Sequence, residues 1–197
     1  MELSPKLYHY FVRPQWFTNA FINRRMKGLL ADYNFENSMV LDFGCGIGSN
    51  CTLFQPDNYV GIDCDQNRIH YAQRLFANYQ FKTQRGYGLP FSNQFFDYIF
   101  IMAVLHHISS EDLKEYLQEF QRILKPQGKI IITEPCFHKN FPFCNWYMSF
   151  WDKGKYIRNE QEYTQLFSDH SYHVERKKRF RKSLFYQELF FTASFLS

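Results

Sequence analysis

The sequence predicts an α/β domain, a Rossmann-like doubly wound and mostly parallel sheet with helices on both faces. Three observations indicate this class. Short uninterrupted apolar runs recur along the chain, segments with helical periodicity separate them, and the first run ends in a glycine-rich turn. Uninterrupted apolar runs suit strands that are covered on both faces, and helices between them suit right-handed crossovers.

Four segments have the pattern of buried strands. They are "SMVLDF" (38–43), "NYVGID" (58–63), "FFDYIFIMA" (95–103) and "GKIIITEP" (128–135). Near the C-terminus, "YHVERKKRFRKSLFYQELFF" predicts two final strands. Ligands in such a sheet bind beyond the carboxyl ends of the strands, so the turn after the first run lies where a ligand is expected.

Helical patterns separate these runs. The segment after Asp65 repeats apolar residues at helical spacing, and Asp65 is its predicted N-cap. "SSEDLKEYLQEFQRIL" has one apolar face, and Ser109 with Asp112 forms a capping-box pattern at its start. "RNEQEYTQLFSDH" predicts a further helix before the final strands.

Composition restricts the class of protein. A chain of 197 residues with 45% hydrophobic and 21% charged residues is typical of one soluble globular domain. The net charge of +4 permits an anionic partner without requiring one. Five cysteines without a CxxC pair suggest neither a zinc cluster nor a disulfide framework, so a reducing cytoplasm fits best. The start "MELSPKLYHY" lacks a signal-peptide pattern, and the run "YIFIMAVL" is too short to span a membrane.

The glycine turn "VLDFGCGIGSN" differs from a dinucleotide site. Its spacing is Gly44-x-Gly46-x-Gly48 rather than G-x-G-x-x-G. Asp42, two residues before the first glycine, would repel a diphosphate but attract an ammonium group. The pattern therefore disfavours an oxidoreductase with a nicotinamide cofactor.

This turn resembles the first motif of class I S-adenosylmethionine-dependent methyltransferases, an acidic residue followed after one position by G-x-G-x-G. The resemblance continues in order. "VGIDCDQNRIHYA" ends its strand in Asp63, and "LPFSNQFFDYIFIMAVLHHI" and "ILKPQGKIIITEP" are similar to the family's fourth and fifth strand regions. Together these motifs cover Ser38 to Pro135.

The resemblance implies a seven-stranded sheet whose final strand is antiparallel, with residues 38–197 as the methyltransferase domain. It implies S-adenosylmethionine as the cofactor, with Asp42 orienting its amino group and Asp63 accepting the ribose hydroxyls. Many family members carry an acidic adenine-binding residue before the LPF-like stretch, whereas this chain has Arg85 and Gly86 there. Adenine contacts are therefore expected from Gly86 and Tyr87. The remaining expected cofactor contacts are Gly44, Cys45, Gly46, Cys64 and Met102.

His106 and His107 follow the fourth strand, at the mouth of the expected site. One of them is the candidate general base, and the alternative is a hydrogen-bonded histidine that holds the loop. Cytosine C5 methyltransferases use a Pro-Cys dipeptide after their fourth strand as a nucleophile. In this chain the Pro-Cys dipeptide that ends at Cys136 follows the fifth strand instead, so we interpret it as incidental. No metal site is expected.

Two segments bear on the acceptor. Residues 1–37 predict an aromatic arm and a helix beginning near Pro14, which in similar enzymes folds over the site. Residues 136–157 are aromatic without a clean period, so they are either a substrate lid or a segment packed on the flank. The leading interpretation is methyl transfer to a small apolar or aromatic metabolite by in-line displacement. RNA or protein methylation and a catalytically silent scaffold stay open as alternatives, and the basic run 176–182 could contact an anionic partner.

Overall fold

The computed structural model describes residues 23–152, 154–183 and 186–195. Its contacts divide the chain into two compact units, residues 1–85 and residues 86–197. The predicted arm and the predicted helix start near Pro14 lie outside the described residues. No helix within the described ranges is long and apolar enough to cross a membrane.

The first unit contains a parallel sheet in the order β3-β2-β1. Its elements are helix α1 (Asn23–Leu30), strand β1 (Val40–Phe43), strand β2 (Tyr59–Asp63), helix α2 (Gln66–Leu75) and strand β3 (Gln80–Thr83). Every residue of β1 and β2 is buried, as the apolar runs predict. The sequence pattern gave no sign of β3, because only Phe81 in that strand is buried.

The second unit contains a mixed sheet in the order β4-β5-β8-β7, and the short β6 pairs with the end of β5. Its strands are β4 (Phe96–Met102), β5 (Leu124–Phe137), β6 (Arg158–Asn159), β7 (Tyr172–Ser183) and β8 (Tyr186–Phe195). Its helices are α3 (Ser110–Ile123), α4 (Pro142–Trp151) and α5 (Glu160–Ser168). β4 and β5 are parallel, whereas β8 is antiparallel to both β5 and β7.

Local signals set the helix starts. The Asp65 side chain accepts the backbone N–H groups of Asn67 and Arg68 at the start of α2. The Ser109 side chain accepts the N–H of Asp112 at the start of α3. These caps satisfy donors that the first helical turn leaves without an intrahelical partner. Both predicted N-caps are confirmed.

The strands of the two units confirm the predicted fold class, mostly parallel Rossmann-like α/β with an antiparallel last strand. Among the described residues, β1 to β3 in the first unit and β4, β5, β7 and β8 in the second match the expected number of seven, and β6 adds a two-residue pairing to β5 that the sequence did not predict. The parallel strands β1, β2, β4 and β5 bring the predicted site residues to strand ends, as such a sheet requires.

Candidate active site

The glycine turn after β1 directs its first three N–H groups to the end of β2. The N–H groups of Gly44 and Cys45 both donate to the Ile62 carbonyl, at 2.8 and 2.9 Å. The Gly46 N–H donates to Asp63 Oδ2 at 2.9 Å. A phosphate-binding turn needs such N–H groups free to face the ligand. Here they bind protein oxygens, so this part of the turn is not a phosphate cradle.

Asp63 is both a structural and a candidate ligand-binding carboxylate. Its Oδ2 accepts the Gly46 N–H, and its Oδ1 accepts the Asp65 N–H at 2.9 Å. An ionised carboxylate offers about four lone-pair sites, so these two bonds leave acceptor capacity for hydroxyl donors. The contacts fix the side chain beside the turn, where the family resemblance predicts a ribose-binding acid.

Asp42 is 1% exposed and lies in β1 beneath the glycine turn. Its Oδ2 accepts the Tyr59 hydroxyl at 2.7 Å. Burial raises the pKa of the Cys51 thiol to about 12, and the negative charge of Asp42 adds to this rise. The pKa of the Cys45 thiol is also raised, mainly by burial and next by the negative charge of Asp42. A carboxylate that disfavours nearby anions in this way also favours a cationic ligand group.

The two sides of the turn differ in the space they leave. A Cβ on Gly48 would lie 2.7 Å from Phe81 Cζ, so this glycine is required by packing. A Cβ on Gly46 would meet no atom within 4 Å, although its φ of +57° also favours glycine. The Oδ1 of Asn50 is buried and has no hydrogen-bond partner among the described residues. An open backbone and an orphaned acceptor fit a ligand at this turn.

In the second unit, Gly86 and Tyr87 are held by helix α3. Gly86 has a φ of +77°, and its carbonyl accepts the Tyr116 hydroxyl at 3.4 Å. The Tyr87 ring contacts Tyr116 edge-on at 5.2 Å, and its hydroxyl donates to Asp112. Tyr87 is nevertheless 41% exposed, so an aromatic surface is fixed in place while still open to a planar ligand.

His106 is buried between two carboxylates. Its Nδ1 lies 2.7 Å from Glu134 Oε2, and its Nε2 lies 3.4 Å from Asp152 Oδ1. Burial alone lowers the pKa of His106, but the hydrogen bonds to Asp152 and Glu134 and their charges outweigh it and raise the pKa to about 9. The ring is therefore an imidazolium at neutral pH, and both of its nitrogens donate. This is the geometry of the hydrogen-bonded histidine that holds the loop.

Glu134 is the centre of this arrangement and was not assigned a role from the sequence. It is fully buried, and its Oε1 accepts the N–H groups of Val104 and Leu105 at 2.7 and 2.9 Å. Its Oε2 accepts the His106 N–H at 3.3 Å as well as the ring proton. The carboxylate from β5 thus fixes the turn after β4, and its position in "ITEP" at the strand end was the available signal.

Asp152 joins the end of α4 to the same turn. It accepts the Tyr186 hydroxyl and the Gly154 N–H, the latter at 2.7 Å. Burial opposes ionisation of Asp152, but bonds from His106 and Tyr186 dominate and hold its pKa well below the usual range. A Cβ on Gly154 would lie 2.0 Å from His106 Cδ2, so the chain packs directly on the imidazole.

Arg158 completes the enclosure of this turn. Its guanidinium is buried and donates to the carbonyls of Leu105 and Ile108 at 3.0 Å, and also to the Ser110 hydroxyl at 3.1 Å. The sequence gave no signal for the roles of Asp152, Arg158 or Tyr186, because their partners lie far along the chain. Asp152 and Arg158 are thereby both tied to the turn after β4.

The remaining predicted residues have simpler surroundings. Met102 is buried at the end of β4, whereas His107 and Cys64 are exposed. The His107 ring lies against the His106 ring with a centroid distance of 4.0 Å. Cys136 is buried, and burial raises the pKa of its thiol to about 12, as expected for an unreactive cysteine. Within the described residues, no three His, Cys, Asp or Glu side chains form a group that could hold a metal ion.

Part of this sequence is similar to known methyltransferases. A family profile described as a methyltransferase domain matches residues 40–128. Phosphoethanolamine N-methyltransferase 3 of Arabidopsis thaliana is 28% identical over 138 residues, which are 66% of this chain and 28% of that protein. The chain thus spans less than a third of that relative's length.

Solved structures agree with the fold. The PH0226 protein of Pyrococcus horikoshii superposes with a TM-score of 0.75 at 17% identity, covering 96% of each chain. Magnesium protoporphyrin IX methyltransferase from Synechocystis, solved with bound SAH, superposes with a TM-score of 0.70 at 18% identity. That match covers 94% of this chain and 88% of the Synechocystis chain. At these identities the likeness shows the fold alone.

Proposed function

We propose that this chain, whose residues 40–128 match a methyltransferase-domain profile, is a class I S-adenosylmethionine-dependent methyltransferase that transfers a methyl group from S-adenosylmethionine to a small apolar or aromatic metabolite. The single observation that carries the cofactor assignment is the glycine turn after β1. Its first N–H groups bind Ile62 and Asp63, and a buried Asp42 lies beneath it. Such a turn suits a cationic amino acid group and disfavours a phosphate chain.

The residues that would hold the cofactor follow from these contacts. The charge of Asp42 favours the amino acid end, and the free acceptor sites of Asp63 suit the ribose hydroxyls. Asn50 offers a buried acceptor without a partner among the described residues, and Gly46 presents open backbone. Within the second unit, the exposed ring of Tyr87, which contacts Tyr116 edge-on, is the surface that the family resemblance implies for the adenine.

S-adenosylmethionine supplies, when bound, a methyl group on a positively charged sulfur that a nucleophile can attack in line. The protein's part is then to hold the acceptor at the right distance and angle, which can supply much of the rate. His106 at neutral pH carries its proton and donates to Glu134 and Asp152, so we assign it to positioning of the turn after β4. Exposed His107 is the remaining candidate base.

A separate set of observations supports the small-molecule acceptor. The Arabidopsis relative and the Synechocystis neighbour are named for small-molecule acceptors. In this chain, residues 136–157 contribute aromatic side chains, and Asp152 in this segment and Arg158 just after it both contact the turn after β4. A lid role for this segment is part of the proposal, while α4 itself packs on β8 through Met148.

The test is calorimetry followed by a turnover screen with the full chain. S-adenosylmethionine and S-adenosylhomocysteine should bind, and reduced nicotinamide dinucleotide should not. Release of S-adenosylhomocysteine is then measured with panels of metabolites, RNA and protein. Turnover with RNA or protein alone would replace the small-molecule proposal by that alternative. Absence of cofactor binding by folded protein would instead favour a catalytically silent scaffold.

A further inference from the structure

The side-chain amide of Gln187, at the start of β8, is buried without a hydrogen-bond partner. Gln187 is 7% exposed, and its Nε2 has no partner among the described residues. Buried polar atoms in folded proteins are nearly always paired, because an unpaired donor loses its hydration and gains no bond in return. Gln187 is therefore a donor whose acceptor the described residues do not supply.

Gln187 lies where the pairing of β8 with β5 ends. The two strands are antiparallel, and their last paired residues at this end are Pro135 and Glu188. Antiparallel pairing brings the start of β8 to the carboxyl end of β5. Ligands of a mostly parallel α/β sheet bind beyond the carboxyl ends of its strands. The Gln187 amide therefore lies at the edge where the methyl acceptor is expected.

The register shows which face of the sheet carries the Gln187 side chain. Leu189 pairs with Glu134, and directly paired residues of an antiparallel ladder point to the same face. Gln187 precedes Leu189 by two residues, so its side chain shares that face. On this face the Glu134 carboxylate holds the turn after β4. Gln187 thus lies on the side of the strand ends that carries this turn.

A flexible side chain of α4 lies against Gln187. The Gln187 N–H donates to Met148 Sδ at 3.4 Å, and Met148 is fully buried. A thioether sulfur is a weak acceptor, so this contact satisfies the backbone donor poorly. Met is unbranched and has several rotatable side-chain bonds. A change of rotamer at Met148 therefore moves the sulfur away from Gln187 while the backbone of α4 stays in place.

We propose that the Gln187 amide is a specificity-determining group, which donates a hydrogen bond from Nε2 to an oxygen of the methyl acceptor. This assignment rests on the proposed function and names the acceptor class, aromatic compounds that carry a carbonyl oxygen in addition to the atom that receives the methyl group. Met148 changes rotamer when the acceptor binds, and the carbonyl oxygen then lies beside the amide. A neutral amide suits a neutral carbonyl, whereas proteins commonly bind charged oxygens with Arg or Lys. Polar groups of this kind fix the orientation of a ligand in an otherwise apolar site.

The test is calorimetry of the full chain with bound S-adenosylhomocysteine, titrated with para-hydroxyacetophenone and with para-ethylphenol. These phenols have nearly the same size, and only the first carries a carbonyl oxygen. We expect the wild type to bind para-hydroxyacetophenone about tenfold more tightly, which is the discrimination that one hydrogen bond supplies. Gln187→Met removes the donor and should bind the two phenols with equal affinity. Gln118→Met makes the same change at an exposed position of α3 and should keep the preference.

Thermal unfolding without ligand is the second measurement. Gln187→Met should melt at the same temperature as the wild type or higher, because it replaces a buried donor without a partner by an apolar side chain of similar length. A melting temperature well below that of Gln118→Met, or failure to fold, would show that the amide has a partner within the protein and would overturn the proposal. Gln187→Leu should repeat both the binding and the melting results of Gln187→Met.

The outcomes separate this assignment from the proposed function. Equal affinity of the wild type for the two phenols, binding of neither phenol, or a preference that survives in Gln187→Met would overturn the role of Gln187, while measured cofactor binding would leave the methyltransferase proposal intact. No binding of S-adenosylmethionine by the folded wild type would overturn the proposed function itself.

Kinetics distinguish a binding role of Gln187 from a role in the chemical step. In a turnover assay with para-hydroxyacetophenone, Gln187→Met should raise KM about tenfold with kcat little changed, because a hydrogen bond that is equal in the ground state and the transition state contributes only to binding. A fall in kcat with KM unchanged would contradict the assignment of Gln187 to acceptor specificity.

Discussion

Replacing His106 by Asn tests the arrangement of charges behind the turn after β4. The substitution removes the imidazolium that bonds to both Glu134 and Asp152. Glu134 is fully buried, so its charge would lose a partner that water cannot replace. Removing one member of a buried ion pair typically destabilises a protein by about 3–5 kcal/mol.

The pKa of His106 gives a second value for the same effect. Binding to the carboxylates raises this pKa from 6.5 to about 9, which corresponds to about 3 kcal/mol of stability at low pH. Because the pKa is higher in the folded protein, this contribution is fully present below about pH 6.5. It falls as the pH rises and is lost above about pH 9. The difference in stability between wild type and variant should follow that curve.

Urea unfolding of the wild type and His106→Asn at about pH 6 and about pH 9.5 measures this difference. Cysteine and tyrosine ionisation affects both proteins equally, so the comparison isolates the imidazole. His107→Asn is the control, because it makes the same change at the exposed neighbour and should cost less than about 0.5 kcal/mol. A loss below about 1 kcal/mol for His106→Asn at the lower pH, or a loss independent of pH, would refute the ion-pair reasoning.

Three further outcomes are expected. Gly154→Ala should lower the free energy of unfolding by about 1–3 kcal/mol, because the added Cβ would meet the His106 ring. The control Gly88→Ala, whose Cβ would meet no atom within 4 Å, should leave the free energy of unfolding unchanged. Similar melting curves for the two variants would contradict the predicted clash. Asp63→Ala should weaken S-adenosylmethionine binding by about 2–4 kcal/mol in calorimetry. The variant should also lower the stability of the unliganded protein, because the N–H groups of Gly46 and Asp65 lose their acceptor. Unchanged affinity for S-adenosylmethionine would disprove the ribose assignment. Asp42→Asn should weaken the binding of S-adenosylmethionine and of S-adenosylhomocysteine to the same extent, whereas nucleotides that carry phosphates should bind no worse. An equal loss of affinity for both kinds of ligand would mean that Asp42 only shapes the turn.

The sequence was informative wherever the deciding interactions are local. Apolar runs predicted β1, β2, β4 and β5, and the side chains of Asp65 and Ser109 cap the helices they precede. The glycine spacing with Asp42 identified a turn unlike a phosphate site. These features depend on periodicity and on backbone geometry within a few residues. Strand β3 was not predicted, because an edge strand with one buried residue has no apolar run in its sequence.

Tertiary structure alone determined the surroundings of His106. The sequence placed it after the fourth strand, where a neutral base and a structural group have the same signature. Its two carboxylate partners come from β5 and from the end of α4, and the Gly154 backbone closes over its ring. A pKa depends on burial and on charges within a few ångströms. Those neighbours are assembled by contacts between distant parts of the chain, so no local pattern could record them.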